Sequence, residues 1–352
     1  MRIAVYCYPC TEDVWSPHSL SDGIGGSEEA VIHMASALAE RGHDVTVTNA
    51  RSGPPRRFAG VTWDSYDAPR RGATDIGIVW RRPGLLWRVD RSAVSKLYLW
   101  LHDMLPEATV LERLDAFSKV MVLSRFHRNH YPAIPADRIF QTSNGLAPSS
   151  FGQDEPRDPQ LMVYGSCYSR GLRTLLTNWR RIRQAAPAAR LNIFYGWQTI
   201  QKNNPVRYER IRRVLEPLMQ QDGVCHLGRI GQGEVARQYA AAGIWAYPCS
   251  FPETSCISAM KAQAAGAVPA VIPTGALAET VRYGFRTMRG LTDFEGLPTP
   301  RRLINEWIEG LVGLLRAPER QARIRAEMIP DARRQFSWAT VADAWEREFV
   351  SA

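Results

Sequence analysis

The chain has 352 residues, 45% hydrophobic and 22% charged, with a formal net charge of +9. That length suits two hydrophobic cores better than one, and the balance is that of a soluble globular protein. No apolar run approaches the length of a membrane span.

The N-terminus MRIAVYCYP enters a strand-like run without the longer apolar stretch and small-residue site of a secretory leader, so a cytoplasmic location is expected. The positive charge suits an anionic partner: a nucleotide phosphate, an acidic glycan, or a membrane surface touched peripherally at the inner face. Arginine is spread out, with short clusters at Arg56-Arg57, Arg70-Arg71 and Arg81-Arg82. No zinc-finger, RNP-like or basic-zipper pattern accompanies them, so these read as solvated surface and no nucleic acid is expected as a partner. Of the six cysteines, Cys7 and Cys10 form a lone Cys-x-x-Cys at a strand exit, weak evidence for zinc. Cys167, Cys225, Cys249 and Cys256 read as reduced, buried thiols.

In chain order, residues 2–8 form a β-rich run, followed by a long polar loop from 9 to 26. Glu28 to Arg41 carries Val31, Met34, Ala35 and Leu38 at helical spacing and stops at Gly42. Asp44 to Asn49, Ile76 to Trp80, Leu97 to Leu101 and Lys119 to Leu123 read as strands, a rhythm that predicts a parallel, doubly wound sheet. A polar, Pro-containing stretch at 149–159 reads as an interdomain linker. A second series follows: strands at 161–164, 190–195, 224–227, 244–247 and 268–272, with helices at 174–186 and 234–242. The division is therefore 1–148, linker 149–159, 160–335, and a terminal helix 336–352. That helix carries Trp338, Val341, Trp345 and Phe349 on one stripe, suited to docking on an apolar surface.

The most informative stretch is FPETSCISAMKAQAAGAVPA, residues 251–270. Thr254 or Ser255 is placed to cap a helix whose first N–H groups face back toward the preceding strand's end, a ready phosphate site. Glu253 stands beside it as an acceptor for hydroxyls, as a sugar nucleotide requires. The plain alternative is a capped helix beside a surface Glu. The run Gly23-Ile24-Gly25-Gly26-Ser27 precedes the first helix and reads as a ligand loop or a flexible turn; its spacing is not that of the dinucleotide fingerprint. His102-Asp103 follows a strand at its carboxyl end, suited to a sugar hydroxyl or to a loop carbonyl. Arg170, after the first strand of the second series, can meet a diphosphate bidentately. The backbone of Gly228-Arg229 can line a base pocket, and Asn144-Gly145 reads as a turn.

Together these stretches resemble the family 4 retaining glycosyltransferases of the GT-B fold over most of the chain. Gly25-Gly26-Ser27-Glu28 is similar to the family's glycine loop, which contacts donor phosphate and acceptor. Ser169-Arg170-Gly171-Leu172 is similar to its Lys-Gly stretch, with Arg170 in place of the phosphate-binding Lys. Gly275-x-x-x-Glu279 is similar to its later Gly-x-x-x-Glu signature. Glu253 holds the first position of its Glu-x7-Glu motif, but eight residues on stands Lys261 where a second Glu usually holds the ribose. Ser166 stands where many relatives place an Arg against the diphosphate.

The resemblance implies an α/β GT-B architecture, two Rossmann-like doubly wound domains facing a cleft, with the terminal helix packing back on the N-terminal one. It implies a retaining hexosyltransferase that moves a sugar from a nucleotide-diphosphate sugar to a glycan, lipid-linked or other hydroxyl acceptor. Neither a metal nor another cofactor is expected, since no Asp-x-Asp pair is present. Glu253, His102 and Arg170 are the implied catalytic residues. Gly25, Gly26, Ser27, Ser166, Gly228, Arg229, Thr254, Ser255, Cys256, Ile257 and Lys261 would touch the donor, and Asp103 the acceptor. Two other readings stay open: a non-catalytic sugar-nucleotide or glycan-binding module, which Lys261 and Ser166 favour, and a sugar-nucleotide epimerase, for which no suitable carboxylate and His set is visible.

Overall fold

Among the described residues strands and helices alternate over much of the chain, and the strands fall into two separate sheets. The computed structural model describes residues 1–7, 15–49, 53–65, 72–147, 151, 155–291 and 299–351. Cys10, the Arg70-Arg71 cluster and residues 149, 150 and 152–154 of the expected linker therefore lie outside the described residues. The chain divides into two units, one of Met1–Leu20, Ile24–Gly145 and Ser337–Ala352, the other of Ser21–Gly23 and Leu146–Phe336.

The first unit contains β1 (Arg2–Tyr6), β2 (Asp44–Asn49), β3 (Arg56–Phe58), β4 (Val61–Ser65), β5 (Thr74–Trp80), β6 (Val94–Trp100), β7 (Lys119–Val122) and β8 (Ile139–Gln141). They pair in the order β3-β4-β2-β1-β5-β6-β7-β8, all parallel except the edge strand β3. The apolar ends of β5 and β6 are buried throughout, as expected of strands covered on both faces. The helix Gly26–Glu40 buries Val31, Met34, Ala35 and Leu38, the face set by the sequence spacing. It starts two residues earlier than expected, so Gly26 and Ser27 form its first turn rather than a loop before it. Glycine is tolerated there because the first N–H groups of a helix have no intrahelical partner in any case.

The terminal helix Trp338–Ser351 belongs to this unit and buries Trp338, Val341, Trp345 and Phe349. Trp345 stacks edge-on against Trp100 at 4.8 Å, and its indole N–H donates to Thr142 Oγ1 at 2.7 Å. Each such fully buried side chain contributes about 1.5–3 kcal/mol relative to exposure. Arg41 with Asp343, and His43 with Glu346, fasten the helix at its rim.

The second unit contains β9 (Asp158–Gly165), β10 (Arg190–Phe194), β11 (Val224–Gly228), β12 (Ala242–Tyr247), β13 (Val268–Val271) and β14 (Phe285–Arg286). The order is β11-β10-β9-β12-β13-β14, all parallel. β12 is buried along its whole length, and Trp179, Trp245 and Trp307 fill the core on either face. Three details depart from expectation. Asp158 and Pro159, expected in the linker, begin β9. The helix expected at 174–186 is two, Leu172–Thr177 and Trp179–Ala185, broken at Asn178, whose amide donates to Thr174 O and so competes with the helical ladder. Cys225 lies exposed on the edge strand β11 and Cys167 is half-buried, so only Cys249 and Cys256 of that set are buried thiols.

In each sheet the winding direction reverses once, between β1 and β5 in the first unit and between β9 and β12 in the second. In open parallel sheets, ligands bind beyond the carboxyl ends of strands at such reversals.

Candidate functional site

In the second unit the reversal brings Ser166–Arg170, after β9, against Pro248–Glu253, after β12. Glu253 as a residue is 4% exposed. Arg170 Nη1 donates to both of its carboxylate oxygens at 3.1 Å, and the Tyr247 hydroxyl donates to Oε1 at 2.6 Å. Ser166 Oγ lies 3.1 Å from that same hydroxyl, so Ser166, Tyr247 and Glu253 form one hydrogen-bonded line. The guanidinium also lies over the Phe251 ring at 4.0 Å, while a third of the Arg170 side chain stays open to solvent. Burial works against its charge, but the Glu253 carboxylate prevails and holds Arg170 well above its ordinary pKa. Burial drives Tyr247 upward, so it remains a neutral donor.

Two glycines make this approach possible. Gly171 has φ +107°, and a Cβ there would sit 2.0 Å from Pro248 O. Gly275 has φ +62°, and a Cβ would sit 2.7 Å from Glu253 O and 2.8 Å from Glu253 N. Gly275 bridges Glu253 in parallel fashion, and Ala276 N donates to Glu253 O at 2.7 Å, which locks the Glu253 backbone.

The helix following Glu253 runs Ile257–Ala265. Its N-cap is Cys256 and not Thr254 or Ser255, and no side chain caps it. The Ser255 hydroxyl is buried with no partner among the described residues, while Thr254 is buried one position further back. Ala259 N and Met260 N bond back to Cys256 O, which leaves Ile257 and Ser258 to carry the leading amides of the helix. Ser258 Oγ donates to Gly165 O at 2.8 Å and ties this helix start to the end of β9.

Lys261, on the same helix, is 5% exposed, and its ammonium donates to Gln232 Oε1 at 2.6 Å. Gln232 opens the helix Gln232–Ala241, so Lys261 bridges two neighbouring helices. Gly228 takes φ +71° and accepts from Tyr195 N, and Arg229 donates through Nε and Nη2 to Gly23 O, in the short segment grouped with this unit. Gly228 and Arg229 thus lie at the end of β11, away from the Glu253 network.

The first unit's reversal gathers a second set. His102 and Asp103 follow β6, and Gly25, Gly26 and Ser27 open the helix Gly26–Glu40 with Gly25 as N-cap. What joins them is Arg81, read from the sequence only as part of a surface Arg pair. Arg81 is 8% exposed. It donates through Nε and Nη2 to the two Asp103 carboxylate oxygens at 2.8 and 2.9 Å, and through Nη1 to Ser27 Oγ at 3.0 Å. The buried Glu28 carboxylate lies 3.6 Å from Nη1 and accepts from the Ser27 hydroxyl at 2.8 Å. Burial works against the Asp103 charge, but Arg81 overrides it and Asp103 titrates below the ordinary carboxylate range.

His102 packs against the rings of Trp100 and Trp80, at 4.6 and 6.1 Å between centroids. Burial, with Arg81 adding to it, pushes its pKa down to about 3, so the imidazole is neutral. His127, buried behind it, accepts from Leu123 N at Nδ1 and meets Asp103 O at Nε2. That arrangement requires the proton on Nε2, and burial holds His127 down to about 4. Sequence reading missed Arg81, Tyr247 and Gln232. Only for Arg81 was there a signal, a charged residue directly after an apolar strand.

No protein-family model matches the sequence, and no curated protein matches it. Solved structures do match. Sucrose-phosphate synthase from Thermosynechococcus elongatus superposes with a TM-score of 0.75 at 14% identity, covering all of both chains. HepE from Anabaena, solved in complex with UDP and glucose, gives 0.69 at 14% identity, again over all of both chains. A glycosyltransferase from Rickettsia africae gives 0.71 at 12% identity over 99% of this chain and 97% of that one. At such identities the likeness establishes the fold, which is GT-B. Among the described residues no group of three or more His, Cys, Asp or Glu side chains is placed to hold a metal ion, and no helix is long and apolar enough to cross a membrane.

Proposed function

We propose that the chain is a retaining glycosyltransferase of the family 4 type, taking a sugar from a nucleotide-diphosphate sugar to a hydroxyl acceptor. The observation that carries this is the Arg170–Glu253 pair at the second reversal point: a cation one-third open to solvent beside a buried, hydrogen-bonded carboxylate. An anionic diphosphate matches the open face of Arg170, and the leading amides of Ile257 and Ser258 add partial positive charge on the adjacent element. Glu253, fixed by Tyr247 and by its backbone bridge to Gly275, is suited to accept hydrogen bonds from sugar hydroxyls. When the sugar–oxygen bond breaks, negative charge collects on the leaving diphosphate, and Arg170 supplies the fixed positive charge that stabilises it without a metal. The acceptor oxygen forms the new bond on the same face, and its proton passes to the leaving phosphate oxygen.

Fold likeness to glycosyltransferases, one of them solved with UDP and glucose, supports this reading, and the donor then belongs to the nucleoside-diphosphate class. In the first unit, Asp103 and His102 are assigned to hydroxyl recognition, and Gly25, Gly26 and Ser27 to the same ligand-facing helix start. Ser166 acts through Tyr247 rather than on phosphate. Lys261 replaces a carboxylate by a hydrogen-bond donor, which favours a second reading, a binding module without turnover. Incubation with radiolabelled UDP-, GDP- and ADP-sugars and a mixed panel of hydroxyl acceptors tests the proposal. Release of nucleoside diphosphate coupled to a labelled product is expected, and saturable binding with no product would replace transfer by binding.

A further inference from the structure

We infer that Arg81 is a positioning residue of the first unit: its guanidinium holds the Asp103 carboxylate, the Ser27 hydroxyl and the start of the helix Gly26–Glu40 in one frame, so that these groups meet a hydroxyl-bearing ligand already oriented. The Arg81 backbone is strained. Arg81 takes φ +64°, a left-handed conformation that costs a non-glycine residue about 1–2 kcal/mol. Glycine would relieve that strain, but it carries no guanidinium. Strain of this kind persists where the surroundings over-determine it, and such places cluster at functional sites.

The guanidinium is a tie between separate parts of the unit. It joins three segments that are distant in sequence: the helix start at Ser27 and Glu28, its own position after β5, and Asp103 after β6. Arg81 N donates to Trp100 O at 2.8 Å, so its backbone is pinned to β6 as well. Asp103 is held on both its side chain and its backbone. Its carboxylate is gripped by a planar fork, the geometry in which Arg orients a carboxylate and Lys does not. Its carbonyl accepts from the Tyr131 hydroxyl and meets His127 Nε2. Yet 35% of the Asp103 side chain remains exposed. Arg81 thus sets the orientation of the carboxylate while part of the Asp103 side chain stays within reach of a ligand.

The groups facing His102 are Arg81 from the end of β5, Asp103 beside it, His127 from the helix Arg125–Asn129, and the Trp80 and Trp100 rings. Of the two cationic neighbours, only Arg81 carries charge at neutral pH, so its removal changes both the orientation of Asp103 and the charge that His102 sees.

The test uses the full chain with Arg81→Met, Arg81→Lys and Arg81→Gly. The His102 imidazole is followed by NMR against pH in each ligand-free protein, and kcat and KM are measured with UDP-glucose as the donor probe. In Arg81→Met, His102 is expected to protonate at clearly higher pH than in the wild type, because repulsion is lost and the Asp103 carboxylate is freed. Turnover is expected to fall about 10²-fold, the order of loss that misplacing a reacting group produces, with KM for the donor unchanged. Arg81→Lys should keep the His102 titration low but recover only part of kcat, since the fork is gone. Arg81→Gly should lose turnover as Arg81→Met does while melting at a higher temperature than Arg81→Met, because both lack the guanidinium and only glycine relieves the left-handed backbone, which separates positioning from folding. An unchanged His102 titration in Arg81→Met overturns the inference, as does unchanged kcat in all three variants of an active protein. The effect on kcat rests on the transferase reading and the titration does not. A wild type inactive on every nucleotide sugar defeats that reading alone and leaves the titration to decide on Arg81.

Discussion

The two reversal points carry the same kind of ion pair built in opposite senses. In the second unit the anion is buried and the cation reaches solvent, with 5% of the Glu253 side chain exposed against 33% of Arg170. In the first unit the cation is buried and the anion reaches solvent, 9% for Arg81 against 35% for Asp103. A buried charge must be paired and hydrogen-bonded to be tolerated, so in each pair the inner member is held by its partner while the outer member keeps a face open to solvent. The second unit therefore offers positive charge, suited to phosphate, and the first offers a carboxylate, suited to hydroxyls. On the proposed function, one fold element repeated twice would then serve two recognition chemistries by exchanging which charge lies inside.

The largest effect expected from disturbing this opposition is at Glu253. Glu253→Gln keeps shape and an acceptor for Tyr247 but removes the charge beneath Arg170; transfer should fall about 10²- to 10³-fold, the range for losing one preorganised electrostatic group. Loss of less than about tenfold would show that the inner carboxylate is only a foundation. Gly275→Ala attacks the same residue through its backbone. The left-handed conformation alone costs about 1–2 kcal/mol in a non-glycine residue. The Cβ must also displace the Glu253 main chain, so the second unit should melt at least several degrees lower by calorimetry. An unshifted melt would show that the bridge to Glu253 is loose.

Acid distinguishes the units next. His102 and His127 are held down to about 3 and about 4, so the unfolded chain takes up protons before the folded first unit does. Their contribution to stability is complete above about pH 6.5 and drains away as pH falls toward those values. The second unit has one histidine, His226, held below its ordinary value by burial. Melting followed between pH 7.5 and 4.5 should show the first unit losing stability more steeply, with His127→Gln flattening its slope; equal slopes for the two units would remove the contrast. The smallest effect expected is at Ser166→Ala, which deletes one hydrogen bond to Tyr247, worth about 1 kcal/mol. Turnover should drop a few-fold, and a loss as large as that at Glu253 would mean that Ser166 itself touches the donor.

Much of this arrangement was legible in the residues. Buried parallel strands are continuous apolar runs, and so β5, β6 and β12 stand out without any partner being known. Glu253 was legible because Pro-Glu-Thr-Ser interrupts such a run just before a helical pattern. Arg81 was legible only as a charge directly after an apolar strand, since its role comes from Ser27 and Asp103, which only the sheet order brings to it. Tyr247 was hidden in the opposite way: it completes an apolar strand, and its hydroxyl acquires a function only when the chain turns back at Glu253. The helix cap was misplaced because Thr254 and Ser255 have the side chains that usually cap, whereas the tight turn at Glu253 carries the chain to Cys256 before the helix begins. Asn178 broke a helix whose apolar spacing continued through it, a local competition that periodicity does not register.

The most direct test of the account is the binding of nucleoside diphosphates to the full chain by isothermal titration, comparing the wild type with Arg170→Met. The wild type is expected to bind UDP, GDP or ADP, and the variant, still folded and melting cooperatively, to bind the same nucleotide at least tenfold more weakly. Equal affinity in the two proteins would contradict it, because the outward cation of the second unit would then have no part in holding phosphate.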